Sequence, residues 1–304
     1  MRIFIGSPLS QNRAKASGII AVFAAALAVG TVMFSSDKPA NAEKPDAKVL
    51  SIGGSVTEII YALGQEHRLI ARDTTSTYPP EARRLPDVGY IRALSPEGVL
   101  SVNPDLIISE DGAGPPEALE VLKAAAIPFV EVPDGFDADT VAAKIKTVGA
   151  ALEVQEQANA LAQEVHDRID AATERAKARA GEPKRVMFVL STQGGRILAA
   201  GEETSAAAII ELAGGINAIE GMQGFKPISD EVIGIAAPDV IVMMDRRGDH
   251  SASDDELWAM APIKLTPAAE TKSIVRMNGL FLLGFGPRVA DAIDDLSMAI
   301  YGDV

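Results

Sequence analysis

The sequence contains no cysteine, and aromatic residues make up only 5% of its 304 residues. The lack of cysteine excludes disulfides, cysteine-ligated zinc, iron–sulfur clusters, a thiol nucleophile and a lipid-modified cysteine in this chain. Basic residues are also few, 28 against 42 acidic ones, which gives a net charge of −14. Because an acidic chain gains no affinity from releasing phosphate counterions, we expect no nucleic-acid partner.

Motifs for hydrolytic or nucleotide chemistry are missing as well. There is no Gly-x-Ser-x-Gly elbow, no phosphate-binding loop and no Gly-x-Gly-x-x-Gly pattern. The three histidines, His67, His166 and His250, do not have the spacing of a metal-ligand pair. No two carboxylates stand out as a general acid and its base. The sequence therefore predicts a protein that is not an enzyme.

The first 42 residues have the organisation of an export signal. Residues 1–17 carry three basic residues and no acid, residues 18–34 carry no charge, and Ala40-Asn41-Ala42 is a small-x-small cleavage pattern. We expect a signal peptide over residues 1–42, cleavage after Ala42 and a mature protein in the periplasm. The alternative is a retained membrane anchor, for which the uncharged run is slightly short.

Two segments of the chain, residues 94–109 and 228–243, have similar sequences. Each predicts a serine N-cap (Ser95, Ser229), a short helix with a glutamate in its first turn, a Pro-Asp end and a buried strand. The glutamates are Glu97 and Glu231, and the helix dipole favours an acid at that place. The repeat indicates an internal duplication into two similar halves.

Each half also begins with a predicted strand followed by a glycine turn and a helix, at residues 48–64 and 185–215. This alternation predicts an α/β fold with two Rossmann-like lobes and parallel sheets, over residues 43–136 and 182–304. Residues 137–181 are rich in strong helix formers and predict one long linker helix of about 60 Å. The alternative is two helices broken near Gly149. Ligands of such sheets bind at the carboxyl ends of the strands, so the cleft between the lobes is the expected site.

Tyr78 is the most distinctive candidate for ligand binding. It precedes two prolines, and Arg72, Arg83, Arg84 and Arg92 lie within 20 positions of it in an acidic chain. A phenolate is a hard ligand for ferric iron, and arginine pairs well with carboxylates. The residues alone favour a plainer interpretation, namely a loop tyrosine packed on proline beside solvated arginines.

Four stretches resemble the haem-binding periplasmic proteins of bacterial ABC importers, relatives of the vitamin B12 and siderophore binding proteins. They are DTTSTYPPEA, LPDVGYIRALSPEGVL, LAAGEETSAAAIIELAGGINA and LLGFGPR. The resemblance covers residues 48–304 and implies a helical-backbone binding protein with haem in the cleft. It implies Tyr78 as the axial ligand of a ferric haem b and Arg92 as partner of the phenolate or of a propionate.

Arg246 and Arg247 follow a predicted strand over residues 240–244 and so reach the edge of the cleft. Together with Arg72 they are candidate partners of a propionate or of the phenolate, although an arginine pair after a strand is often simply solvated. The resemblance also implies that Glu97 and Glu231 dock onto an ABC permease dimer with its ATPase. An outer-membrane haem receptor would act upstream, and the protein is expected to be a monomer. Since residues 191–196 contain no histidine to hold a second haem, we expect one five-coordinate haem. The alternatives are a ferric siderophore or cobalamin on the same scaffold, or a periplasmic enzyme.

Overall fold

The computed structural model describes residues 47–245 and 252–302. The expected signal peptide and its cleavage site, together with Arg246 and Arg247, lie outside the described residues. Within the described ranges, no helix combines the length and the apolar character needed to cross a membrane.

The N-terminal lobe is a four-stranded parallel sheet with helices between its strands. The strands follow the order β2-β1-β3-β4 across the sheet. They are β1 (Val49–Ile52), β2 (Leu69–Arg72), β3 (Leu106–Glu110) and β4 (Phe129–Val132). The helices are α1 (Gly54–Ala62), α2 (Pro96–Ser101) and α3 (Pro116–Ala124). All four strands therefore point their carboxyl ends to the same edge.

The segment between the lobes forms two helices, α4 (Ala138–Ala151) and α5 (Gln155–Ala180), and the prediction of one continuous helix is wrong. The chain turns at residues 152–154, where Glu153 has a left-handed φ of 61°. The helices then pack so closely that a Cβ on Gly149 would lie 2.0 Å from Ala158 Cβ. Gly149 thus permits the close helix contact and does not break the helix. At 26 residues, α5 is about 39 Å long.

The C-terminal lobe contains a mixed sheet with the strand order β10-β9-β5-β6-β8, and β7 pairs with β5. The strands are β5 (Arg185–Ser191), β6 (Ile197–Ala200), β7 (Ile216–Asn217), β8 (Phe225–Ile228), β9 (Val240–Met244) and β10 (Ile274–Met277). The helices are α6 (Ser205–Leu212), α7 (Asp230–Ala236), α8 (Asp254–Ala259), α9 (Pro267–Thr271), α10 (Gly279–Leu283) and α11 (Val289–Tyr301).

The expectation of a fully parallel second sheet is corrected by β6, which runs antiparallel to β5 and to β8. Only residues 192–196 separate β5 from β6, and Gly194 and Gly195 there have positive φ angles. So short a connection can form a hairpin but cannot carry the crossover that parallel neighbours require.

The internal repeat is confirmed at the level of the caps. Ser95 Oγ accepts a hydrogen bond from Gly98 N at 3.3 Å, and Ser229 Oγ accepts one from Val232 N at 3.4 Å. Each serine begins a short helix, α2 or α7, which is followed by a buried strand.

One apolar cluster extends from the first sheet through both linker helices to the second sheet. Its buried members include Val49, Ile145, Ile169, Phe188 and Leu296. The helix α4 packs on α1 and β4, whereas α5 packs on α4 and α11. The two lobes are therefore joined by a shared core.

Candidate ligand site around Tyr78

Three loops meet at the carboxyl edge of the parallel sheet. Thr74 N donates a 2.9 Å hydrogen bond to Gly89 O, which joins the loop after β2 to the segment that carries Tyr90 and Arg92. Gly114 N donates to Ile91 O at 2.9 Å, which adds the loop after β3. The edge that strand topology favours for ligands thus carries Tyr78 on a hydrogen-bonded group of loops.

The loop that leads to Tyr78 is held in place by Asp73, which is fully buried. Its carboxylate accepts hydrogen bonds from Gly53 N at 3.0 Å, Thr75 N at 2.9 Å and Ser76 Oγ at 2.7 Å. Gly53 lies in the turn between β1 and α1, where its φ is 109°. Since all of these donors are backbone groups or short side chains, the loop has little freedom before Tyr78.

Tyr78 is 40% exposed, and the guanidinium of Arg288 lies over its ring at 3.4 Å from the centroid. Arg288 comes from the other end of the chain, at the N-cap of α11. Its Nε donates to Glu58 Oε2 at 3.0 Å and its Nη2 to Glu58 Oε1. Burial raises the pKa of Glu58, although the hydrogen bond and the charge of Arg288 act in the opposite direction.

Sequence reasoning missed Arg288 and Glu58 as parts of this site. Arg288 stands in the LLGFGPR stretch, but nothing local to that stretch indicates that its side chain reaches Tyr78. Glu58 is one apparently ordinary acid on the first helix. A contact between residues 230 positions apart has no signal in a single sequence.

Arg72 is buried and serves as a brace inside the N-terminal lobe. Its Nη1 donates to Asp87 Oδ2 and also to Asp73 O at 3.0 Å. Burial would raise the pKa of Asp87, but hydrogen bonds from Gly89 N and Thr74 Oγ1, together with Arg72, outweigh it and lower that pKa. Because Nη1 of Arg72 is engaged by these acceptors of its own lobe, its position argues against a role as propionate partner.

Arg92 differs from Arg72, because it is exposed and no side chain within the described ranges pairs with it. Arg83 donates from Nε to Thr77 O at 3.0 Å and so supports the residue before Tyr78.

The other predicted site residues within the described ranges, Arg84, Glu97 and Glu231, are exposed. Over residues 47–245 and 252–302, no three histidine or acidic side chains are grouped to hold a bare metal ion.

The sequence model of the periplasmic binding protein family matches residues 49–279. The chain belongs to the periplasmic binding protein family. The periplasmic heme-binding protein RhuT from Roseiflexus sp. RS-1 has 37% sequence identity and a TM-score of 0.80, over 84% of this chain and 98% of that chain. The periplasmic heme-binding protein BhuT, solved in complex with two hemes, has 38% identity and a TM-score of 0.79 over the same shares.

A vitamin B12-binding protein from Vibrio parahaemolyticus serotype O3:K6 is 27% identical over 263 residues, 86% of this chain and 91% of that protein. This periplasmic binding protein is therefore a substrate-binding component of the ABC-importer type, and the predicted two-lobed α/β fold is confirmed. Its relatives are transport proteins and not enzymes, in agreement with the missing catalytic motifs.

Proposed function

We propose that this periplasmic binding protein binds one ferric haem at the edge that carries Tyr78 and delivers it to an ABC permease dimer with its ATPase. The observation that carries the proposal is the exposed Tyr78 phenol with a cation over its ring. A phenolate is a hard anionic donor for Fe(III), and a tyrosine can be the axial ligand of haem. The positive charge of Arg288 favours the negative charge that the bound phenolate carries.

The surroundings of Tyr78 supply the other parts that haem requires. Tyr90, 48% exposed on the neighbouring loop, offers aromatic surface to a flat macrocycle. Arg92, which has no side-chain partner among the described residues, offers its guanidinium to a propionate. Heme-binding relatives at 37–38% identity are more similar to this chain than the vitamin B12-binding relative at 27%.

The protein acts as a monomer in the periplasm, which it reaches through a signal peptide over residues 1–42. The loop of residues 191–196 has no histidine, which supports one protein ligand on the iron and a single bound haem. Arg246 and Arg247 follow β9 in the sequence and remain proposed propionate partners. An outer-membrane haem receptor would supply the haem.

The test is an absorption titration of the mature protein with hemin. We expect an end point at one equivalent and a high-spin spectrum with a phenolate-to-iron charge-transfer band. Tyr78→Phe should lose this band and most of the affinity, because it removes only the donor oxygen. Tyr61→Phe, a change to a half-buried tyrosine of α1, is the matched control and should keep both.

Two outcomes would contradict parts of the proposal. An unchanged spectrum in Tyr78→Phe would mean that another residue binds the iron, and an end point at two equivalents would contradict the single haem. The second candidate ligand is cobalamin, which the vitamin B12-binding relative favours. A parallel titration with cyanocobalamin distinguishes the two, since tight binding of cobalamin without binding of hemin would replace haem as the ligand.

A further inference from the structure

Arg288 connects three groups from distant parts of the chain. It forms a two-point ion pair with Glu58 of α1, lies 3.4 Å over the ring of Tyr78 and has the ring of Phe281 at 5.0 Å. The Glu58 side chain is only 4% exposed, and that of Arg288 is 25% exposed. The guanidinium is therefore held by a buried carboxylate and lies over the ring of the exposed tyrosine.

The segment before Arg288, residues 280–286, packs closely on the N-terminal lobe and on the residues that lead into α4. A Cβ on Gly54 would lie 2.4 Å from Leu280 Cδ1, and a Cβ on Gly286 would lie 3.2 Å from Glu58 Oε2. Phe285 is buried, and its ring lies 5.2 Å from that of Phe136. Since these contacts are close and come from residues 280–286, directly before Arg288, they restrict where its guanidinium lies relative to Tyr78.

Of the arginines near Tyr78, Arg288 is the one whose guanidinium lies over the Tyr78 ring. Arg83, the nearest arginine along the chain, has its Nε engaged with the carbonyl of Thr77. Arg72 is paired with Asp87 inside the lobe. The carboxylate of Glu58 binds Arg288 on the side opposite to Tyr78 and partly balances its charge. A phenolate at Tyr78 would be the second anion beside the guanidinium.

We propose that Arg288 is a positioning residue for the Tyr78 ligand, fixed in turn by Glu58, and that its charge tunes the bond between the phenolate and ferric iron. This inference rests on the proposed function, because it concerns the same iron ligand. A cation beside a phenolate stabilises the electrons that the phenolate donates. The charge-transfer transition from phenolate to iron then lies at higher energy than it would without the cation.

The first arm of the test needs no haem. The chain has four tyrosines, so the mature protein labelled with fluorotyrosine gives few ¹⁹F resonances, and Tyr78→Phe assigns that of Tyr78. Arg288→Gln should shift the Tyr78 resonance. The matched control is Arg168→Gln. It removes the ion pair in which Arg168 of α5 lies 2.6 Å from Asp291 of α11, and it should leave this resonance unchanged.

The second arm is the hemin titration of the same variants. Arg288→Gln should weaken binding by about tenfold, because it removes the positive charge that favours the bound phenolate. Its charge-transfer band should move to longer wavelength, which a purely structural role would not produce. Arg288→Lys keeps the positive charge without the planar guanidinium, so its affinity and band position should lie between those of the wild type and Arg288→Gln. Glu58→Gln should change both quantities in the same direction as Arg288→Gln, but by less. Arg168→Gln should match the wild type.

The outcomes separate this inference from the proposed function. If the wild type binds hemin with a phenolate band and the folded Arg288→Gln protein has the same affinity and band position, Arg288 is only a packing residue and the inference is wrong. If the wild type does not bind hemin, the proposed function itself fails, and the inference with it. Should Arg288→Gln not fold, the band positions of Arg288→Lys and Glu58→Gln decide, and unchanged bands in both would overturn the inference.

Discussion

The ammonium of Lys144 lies 2.6 Å from Glu110 Oε1, although one residue comes from α4 and the other from the end of β3. The Lys144 side chain is fully buried, and the Glu110 side chain is 16% exposed. Ser55 Oγ donates to the same carboxylate oxygen at 2.6 Å. These contacts tie α4 to the beginning of α1 and to the end of β3, from which the site loop of residues 111–115 starts.

The first prediction concerns this pair. Lys144→Met should lower the free energy of unfolding by about 3 kcal/mol, because it leaves a largely buried carboxylate without its cation. Lys123→Met removes an exposed pair with Glu131 and should cost less than about 1 kcal/mol. Urea unfolding of the mature protein measures both. Similar losses of unfolding free energy in the two variants would mean that the buried ion pair stabilises the protein no more than the exposed one.

The second prediction is a pH dependence that arises from Glu58. Because its pKa is raised, the folded protein keeps this proton to a higher pH than the unfolded chain does. The resulting stabilisation is complete below about pH 4.3, the ordinary pKa of glutamate, and is lost as the pH rises through the raised pKa. The stability of the wild type relative to Glu58→Gln should therefore fall as the pH rises from about 4.3. Parallel stability curves for the two proteins would contradict the raised pKa.

Asp87 provides a control of opposite sign. Its pKa is lowered, so its contribution to stability is present above about pH 3.9, the ordinary pKa of aspartate, and is lost as the pH falls through the lowered value. The stability of the wild type relative to Asp87→Asn should thus rise with pH over the acidic range. Finding the same sign for Asp87 and Glu58 would show that net charge, and not each local environment, sets the pH dependence.

The third prediction separates a specific arginine contact from a diffuse field. Arg92→Ala should weaken hemin binding by about 1 kcal/mol at low salt and by less at high salt, because an exposed guanidinium is screened. Arg84→Ala should change the affinity little, since Arg84 is also exposed but lies outside the proposed contact. Isothermal titration at two salt concentrations tests this, and equal effects at both positions would favour the diffuse field.

The fourth prediction concerns delivery to the importer. The repeat places Glu97 and Glu231 exposed in the first turns of α2 and α7. The double variant Glu97→Ala/Glu231→Ala should keep its hemin affinity but stimulate ATP hydrolysis by the transporter less, since charges at the rim of an interface mainly set encounter rate and register. Glu117→Ala, an exposed first-turn acid of α3, is the control. Normal stimulation by the folded double variant would leave both glutamates as helix-capping acids only.

Local sequence was sufficient for elements whose cause is local. The serine caps at Ser95 and Ser229, and the strands that follow their helices, were predictable because an N-cap satisfies the backbone of its own first turn. The break between α4 and α5 was only the alternative prediction, placed near Gly149, because residues 152–154 contain neither proline nor glycine. The fold-back is decided by the helix contact at Gly149 and Ala158 and by the apolar core that it helps to bury.

The site divides in the same way between local and tertiary causes. The sequence by itself determined which loop carries Tyr78, since its two prolines and the preceding strand are neighbours along the chain. Only the tertiary structure decided that Arg72 is engaged by Asp87, and that Arg288 lies over Tyr78 with Glu58 behind it. Charges find their partners through space, and packing of the C-terminal segment on α1 is what brings together residues 230 positions apart.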